Sequence, residues 1–399
     1  MRLCMISLDA VAQPDADRLL GLPALSALAA EGVFCDRVKT VYPTLTYPIH
    51  TSLLTGCYPN VHGIGHNQPF QPDTAPSMRK WYWSLGDIKA KTLHQAAWEK
   101  GMDTASILWP VSGKNRFVRR NFPEVLPLPG ESAVLKMISY ASPLWILRME
   151  LKYGRTRKSI RQPDLDDYAA LLCEKLYASR RPPDVLTVHL VDCDAMRHAF
   201  GVDSPEAHHA MERLDGRVGR IVRAIEKAGL REETLICVVS DHGQQDAPKG
   251  VTLDAELKAA CGARAQSLGM GAYVFGDDLT AAWLALVRNQ EKWGVARILG
   301  AEELRSLGAP EDVQLAVDAM PGHCFIDRPE ETRGEHGFSL DCPQARTLLW
   351  LSGPGIRKGA RIGPMNLVDI APTLAKALNL SLPGAQGKAA DEILVSGNG

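Results

Sequence analysis

Leu235-Ile236-Cys237-Val238-Val239-Ser240 runs directly into Asp241-His242-Gly243. A short apolar, β-branched run bounded by a turn reads as a buried strand. The carboxylate and imidazole at its end read as a candidate site, because open α/β sheets bind ligands beyond the carboxyl ends of their strands. A lone Asp-His pair after a strand is usually turn polarity. Its weight here comes from repetition. Leu3–Leu8 runs into Asp9, Val185–Val191 is followed by Asp194 and His198, and His336 lies shortly before Thr347–Leu351.

Strands are predicted at Leu3–Leu8, Thr104–Leu108, Val185–Val191, Leu235–Val239 and Thr347–Leu351. Helices are predicted at Pro23–Glu31, Ile49–Leu54, Leu93–Lys100, Asp167–Ala178, Pro205–Ala228 and Leu367–Ala377. This alternation predicts an α/β fold with a mostly parallel central sheet and helices on both faces. Pro23 and Pro205 suit first helical turns, where a missing N–H costs nothing. Pro205–Ala228 sets Met211, Leu214, Val218, Ile221 and Ile225 against Glu206, Glu212, Asp215 and Arg220, as in a helix lying on a sheet.

Two segments break the alternation. Residues 125–163 read as a helical, partly basic insertion containing Tyr140, Trp145 and Tyr153. Residues 249–335 read as a small α+β lid with a βαβ unit: strand Gly271–Gly276, helix Asp278–Glu291, strand Val295–Leu299. The lid is expected to overhang the site. Residues 1–248 and 336–399 then form the catalytic core, with a Gly/Ala-rich tail expected to fray.

The 399 residues are 45% hydrophobic and 23% charged, with a formal net charge of -1. That balance gives no bulk electrostatic case for a nucleic-acid polymer or a membrane as partner, so any anion affinity must be local. The apolar stretch around Ser132–Leu151 is interrupted by Lys136, Ser142, Pro143 and Arg148 and does not read as a membrane span. The N-terminal apolar run is too short for a signal peptide. Nine dispersed cysteines without a Cys-x-x-Cys pair suit reduced thiols, so a cytoplasmic location is expected.

Carboxylates and imidazoles at several strand ends suit zinc or a similar divalent ion. Asp194 and His198 are spaced i to i+4, which puts both on one face of a helix. Asp192 competes with Asp194 but fits that spacing less well. His323 competes with His336, which is preferred because a core strand follows it. Thr46, in Val41-Tyr42-Pro43-Thr44-Leu45-Thr46-Tyr47-Pro48-Ile49-His50, reads as the start of a helix. Its hydroxyl would see the positive helix end, and free backbone N–H groups there can receive phosphate oxygens. Thr46 is the candidate nucleophile; a plain capping threonine is the alternative.

These pieces resemble the alkaline phosphatase superfamily and, within it, the nucleotide pyrophosphatase/phosphodiesterase family. The resemblance is carried by Pro43-Thr44-Leu45-Thr46-Tyr47-Pro48-Ile49-His50 and Thr55-Gly56-Cys57-Tyr58-Pro59-Asn60-Val61-His62-Gly63-Ile64. It continues through Asn67, Trp109-Pro110, Asp194 and His198, Asp241-His242-Gly243, His336-Gly337 and Asp369–Leu374. It covers the core, misses residues 125–163 and reaches the lid only loosely.

The resemblance implies an alkaline phosphatase-like fold and two divalent metal ions, zinc by ligand type with manganese as the alternative. Asp194, His198 and His336 would hold one; Asp9, Thr46, Asp241 and His242 would hold the other. Thr46 would form a covalent phosphothreonine that water hydrolyses, and Asn67 would donate to a non-bridging oxygen. Tyr47 would stack on a substrate base or else pack at the helix start, and Tyr140 or Trp145 would supply a second aromatic.

The chain departs from the family pattern at Ala10 and Arg197, where glycine is common, and at Ile49, where asparagine is common. Arg197 would reach a phosphate or point to solvent, the latter being preferred. The expected function is hydrolysis of nucleotide-like phosphodiesters, with a small phosphodiester or nucleotide as substrate. A phosphonoacetate-type hydrolase or phosphomonoesterase keeps the same site with another substrate, since fold does not settle function. A non-catalytic nucleotide-binding protein is the reading from another class.

Overall fold

Alternate residues of the first strand, Arg2–Leu8, feed two different cores. Cys4, Ile6 and Leu8 pack with the helices Asp164–Tyr177 and Pro205–Lys227. Leu3 and Met5 pack on the other face with Thr46–Thr55 and Ile370–Ala377. All five are essentially without solvent contact, and each such burial is worth about 1.5–3 kcal/mol. A strand apolar on both sides is what a sheet covered on both faces requires. The structure is a computed structural model and describes residues 1–327 and 333–395.

The large sheet runs in the order Ala360–Arg361, Val33–Lys39, Arg346–Ser352, Thr234–Ser240, Arg2–Leu8, Val185–Leu190, Thr104–Ile107, Arg120–Phe122. Arg2–Leu8 pairs in parallel with both Val185–Leu190 and Thr234–Ser240. Arg346–Ser352 is antiparallel to both of its neighbours. That reversal matters for the site. It puts the beginning of Arg346–Ser352, and the loop carrying His336, at the same sheet edge as the carboxyl ends of Leu8 and Ser240.

The sequence reading gave no strand at Val33–Lys39, because Asp36, Arg37 and Lys39 interrupt its apolar pattern. Asp36 is held by Arg361 from the adjoining segment, a long-range pairing that offsets the local signal.

The lid also differs from expectation. Its sheet runs Val295–Gly300, Leu315–Ala319, Gly271–Phe275, Arg264–Ser267. Leu315–Ala319 lies antiparallel between the two strands expected to be neighbours, so the βαβ unit is split. The lid has its own apolar cluster around Leu257, Val274, Leu286 and Val317. A second cluster joins Met270 and Tyr273 to Tyr42 and Leu45, just before Thr46. The insertion folds as the helices Ala133–Tyr140 and Pro143–Tyr153. Residues 328–332 of the lid and 396–399 of the expected fraying tail lie outside the described residues. No helix among the described residues is long and apolar enough to cross a membrane.

Candidate active site

Asp9 follows Leu8, Asp241 and His242 follow Ser240, and Asp194 and His198 sit on the helix Asp192–Phe200, just after Val185–Leu190. His336 enters from the lid side of the antiparallel strand. Two groups of donor atoms result, each within 4.8 Å of one another: Asp194, His198 and His336, and Asp9, Asp241 and His242. The groups are adjacent, with the His242 and His336 rings stacked at 4.0 Å. Thr46 Oγ1 lies 3.3 Å from His242 Nε2.

The three imidazoles share one orientation device. His198 Nδ1 donates to Gly334 O at 2.8 Å, His336 Nδ1 to Thr44 O at 3.0 Å, and His242 Nδ1 to Gly243 O at 3.2 Å. These carbonyl partners assign a proton to each Nδ1 and, in the neutral rings of His242 and His336, leave Nε2 with its lone pair, whereas His198 Nε2 faces Asp194 Oδ1 at 3.3 Å.

Electrostatics point the same way. Burial pushes His242 down to about 4. Burial, with His242 and His198 as neighbours, pushes His336 down to about 3. Both are therefore neutral at pH 7, as metal ligands must be. Burial alone would also lower His198, but the Asp194 carboxylate outweighs it and raises it to about 10. Asp194 in turn is resisted by burial yet held below the usual carboxylate range by His198. Burial and the charges of Asp241 and Asp194 push Asp9 well above that range. Burial raises Asp241 to about 6. Asp9 Oδ1 and Asp241 Oδ2 are buried without a hydrogen-bond donor. Crowded carboxylates with unmet oxygens beside neutral imidazoles fit a divalent cation.

Thr46 opens the ten-residue helix Thr46–Thr55, whose cap residue is Leu45 rather than Thr46. Tyr47 N–H donates to Asn67 Oδ1 at 3.0 Å, and Pro48 has no N–H. Of the first-turn amides expected to receive phosphate, only Thr46 N–H has no partner among the described residues. The bond to Tyr47 also turns the NH2 end of Asn67 into its available donor.

Several expectations need correction. Tyr47 is fully buried with its ring edge-on to Trp81 at 5.3 Å; it has no open face for a base, and the packing alternative applies. Tyr140 packs edge-on to Trp83, and Trp145 packs against the sheet core. Arg197 reaches neither solvent nor the site. It is 3% exposed and grips Asp15 at 2.6 and 3.1 Å as well as Ala10 O. Ala10 has φ 62, a left-handed conformation that costs a non-glycine residue roughly 1–2 kcal/mol. Arg197 clamps that turn. Gly243 makes room for neighbouring protein, since a Cβ there would meet Ala12 Cβ at 2.7 Å. Gly337 combines φ +85 with a lid carbonyl, Leu268 O, 1.6 Å from where a Cβ would stand. Asp192 is consumed by Arg213 and Arg217 at 2.6–2.9 Å. His323 lies on a lid strand, outside both donor groups.

Residues that sequence reasoning missed surround Asp9 and Asp194. His189, inside the strand Val185–Leu190, places Nε2 3.0 Å from Asp9 Oδ2 and Nδ1 3.3 Å from Glu124 Oε2. Gln244 donates to Asp194 Oδ1 at 2.6 Å. His50 joins His189 and Asp241 in a third buried group of donors. Gln244 directly follows Asp241-His242-Gly243 and could have been found there. His189 gave no signal distinct from a core histidine.

The type I phosphodiesterase / nucleotide pyrophosphatase family model matches residues 3–333. Human ectonucleotide pyrophosphatase/phosphodiesterase family member 1 is 24% identical over 233 residues, covering 56% of this chain and 21% of that protein. The bis(5'-adenosyl)-triphosphatase of Bos taurus is 22% identical over 380 residues, covering 90% of this chain and 74% of that protein. The chain thus spans about a fifth of the first relative and about three quarters of the second. The structure of human ectonucleotide pyrophosphatase/phosphodiesterase 5 superposes with TM-score 0.75 at 18% identity, covering 99% of this chain and 100% of that one. An inactive form of the murine counterpart, in complex with AMP, gives 0.74 at 18% identity, over 99% of this chain and 100% of that one.

Proposed function

Because the chain belongs to the type I phosphodiesterase / nucleotide pyrophosphatase family, we propose that it hydrolyses nucleotide-like phosphodiesters through Thr46. The carrying observation is the Thr46 hydroxyl, at a helix start, 3.3 Å from His242 Nε2 of one donor group, whose ring stacks at 4.0 Å on His336 of the other. Asp194, His198 and His336 would hold one divalent ion, and Asp9, Asp241, His242 and the Thr46 hydroxyl a second, zinc by ligand type with manganese as alternative. When bound, such ions supply Lewis-acid charge that acidifies the hydroxyl and offsets charge on the phosphoryl oxygens.

The chain's own groups do the rest. Thr46 Oγ1 attacks phosphorus as its proton passes to solvent, and the bond to the alcohol or phosphate leaving group breaks, the departing oxygen taking up a proton from water. Water then cleaves the phosphothreonine, restoring the hydroxyl. The NH2 of Asn67 and the N–H of Thr46 donate to non-bridging oxygens, each such donor being worth about 3 kcal/mol in the transition state. Trp81, half-buried beside Tyr47, takes over the stacking role that Tyr47 is too enclosed to fill.

A bovine relative named as a bis(5'-adenosyl)-triphosphatase and a murine neighbour solved with AMP support a nucleotide substrate. The core (1–248 and 336–399) and the lid (249–335) form two units, with the lid bracing His336 through Met270 N–H to His336 O at 2.8 Å. The nine cysteines, dispersed along the chain with no Cys-x-x-Cys pair, support a reducing, cytoplasmic setting. The test is turnover of p-nitrophenyl thymidine monophosphate and dinucleoside polyphosphates with Zn2+ or Mn2+. Wild-type protein should turn over and Thr46→Ala should not; equal turnover by both rejects the proposal.

A further inference from the structure

The helical insertion presents a surface that the catalytic reading leaves unused. Along Pro143–Tyr153, Trp145, Ile146, Met149 and Tyr153 pack inward on the sheet core. The opposite face carries Leu144, Leu147 and Leu151, which are 84%, 51% and 79% exposed. Their spacing places them on one stripe, bordered by the exposed Arg148 and Lys152. The preceding helix, Ala133–Tyr140, repeats the arrangement, with Val134, Leu135 and Ile138 turned to solvent. Single exposed leucines are ordinary, but six aliphatic side chains on two consecutive helices are not. A helix that is apolar on both sides belongs between two apolar phases.

Charge identifies the second phase. Residues 131–161 hold seven basic and two acidic residues within a chain of net charge -1. Both acids are used locally, Glu131 by Lys136 and Glu150 by Arg157. Arg148, Lys152, Arg155, Lys158 and Arg161 make no ion pair with a described residue and stand as uncompensated positive charge. A second copy docking by this face across a two-fold axis would set that charge against itself. Leucines flanked by arginine and lysine match the boundary between acyl chains and anionic headgroups.

We propose that the helices Ala133–Tyr140 and Pro143–Tyr153, with the basic stretch that follows to residue 161, dock on an anionic lipid surface. The local charge decides this, where the net charge of the chain suggested no membrane partner. Docking has a consequence for the neighbouring groove. A groove of about 670 Å³ is lined by Lys80, Trp81, Trp83, Leu135, Lys136 and Tyr140. It shares Leu135 and Lys136 with the docking helix, and Trp81 contacts Tyr47, next to Thr46. The surface would thus hold the groove close to phosphodiesters in the bilayer.

The experiment is sedimentation of the purified full chain with vesicles of phosphatidylcholine, alone or with about one-third phosphatidylglycerol. Binding should require the anionic lipid and weaken as salt rises. It should fall roughly tenfold or more in Leu144→Glu/Leu147→Glu/Leu151→Glu, and likewise in Arg148→Glu/Lys152→Glu, at about 1 kcal/mol per basic group. Melting temperature checks the fold of each variant. If the leucine variant does not fold, the charge-reversed one still reads the proposal. Absence of binding to anionic vesicles, or binding unchanged in a folded variant, overturns it. So does a concentration-dependent dimer that the leucine variant dissolves while vesicles capture nothing. None of these outcomes depends on catalysis, so they stand apart from the activity test above.

Discussion

Replacing His189 by leucine would remove an imidazole that touches Asp9 yet, alone among the described residues that do so, belongs to neither of the two donor groups. Its Nε2 is 3.0 Å from Asp9 Oδ2, its Nδ1 is 3.3 Å from Glu124 Oε2, and it has no solvent exposure. Burial disfavours its charge, but the two carboxylates outweigh burial and hold it well above the ordinary histidine range. The sign follows. The stabilisation is complete below about 6.5, the unfolded value, and is lost only as pH rises through the raised folded value. Measurements near neutrality therefore see it in full.

Leucine leaves Asp9 and Glu124 without their shared partner, and breaking a buried pair this way costs about 3–5 kcal/mol. It also frees Asp9 to rotate, and loss of such an orienting group lowers metal affinity by roughly 10- to 100-fold. Zinc affinity would be read by competition with a chromophoric chelator, and stability by calorimetry of the chelator-treated protein. His189→Gln, which keeps a donor toward Asp9, should lose less on both counts. Zinc affinity within about threefold of wild type, together with an unchanged melting temperature, would refute the positioning role.

Asn67→Ala should lower kcat by roughly 100-fold or more with little change in KM; an unaltered kcat would remove Asn67 from the transition state. Arg197→Leu breaks a buried pair with Asp15 and unclamps the left-handed Ala10, so the denaturation midpoint should fall by the equivalent of about 3–5 kcal/mol. A midpoint close to wild type would show the clamp to be dispensable. In chelator-treated protein, His242 and His336 are neutral when folded, with values near 4 and 3, whereas unfolded histidines protonate near about 6.5. Stability should hold above about 6.5 and decline as pH falls toward 4. A melting temperature flat across that window would contradict the assignment.

Much of this site was readable along the chain, and the reasons are local. Asp9 and Asp241 each end an apolar run, and the period of that run reveals a strand without any knowledge of its neighbours. Thr46 lies in a contiguous motif whose helix start is encoded within ten residues. Asp194 and His198 need only one helical turn to face together. Tyr47 shows the limit of such reasoning. Its position beside Thr46 suggested a stacking surface, but Trp81, distant along the chain, encloses it. Arg197 shows the same limit, because an arginine that looks solvent-directed in sequence finds Asp15 across the fold. Val33–Lys39 lacks a local signal because Asp36, Arg37 and Lys39 interrupt its apolar pattern, and the partner that holds Asp36, Arg361, lies far along the chain.

By itself, then, the order of residues determined the α/β class, the strand ends that carry acids, and the helix start at Thr46, all of which follow from short-range periodicity and turns. Tertiary structure alone decided that Arg346–Ser352 runs antiparallel and so brings His336 to the edge where Asp9 and Asp241 end. It also decided that His189 faces Asp9, and that the leucines of Pro143–Tyr153 face outward. The physical reason is common to all three. Strand direction, the choice of face and the presence of a covering neighbour are set by pairing between segments far apart in the chain, and no local pattern encodes them.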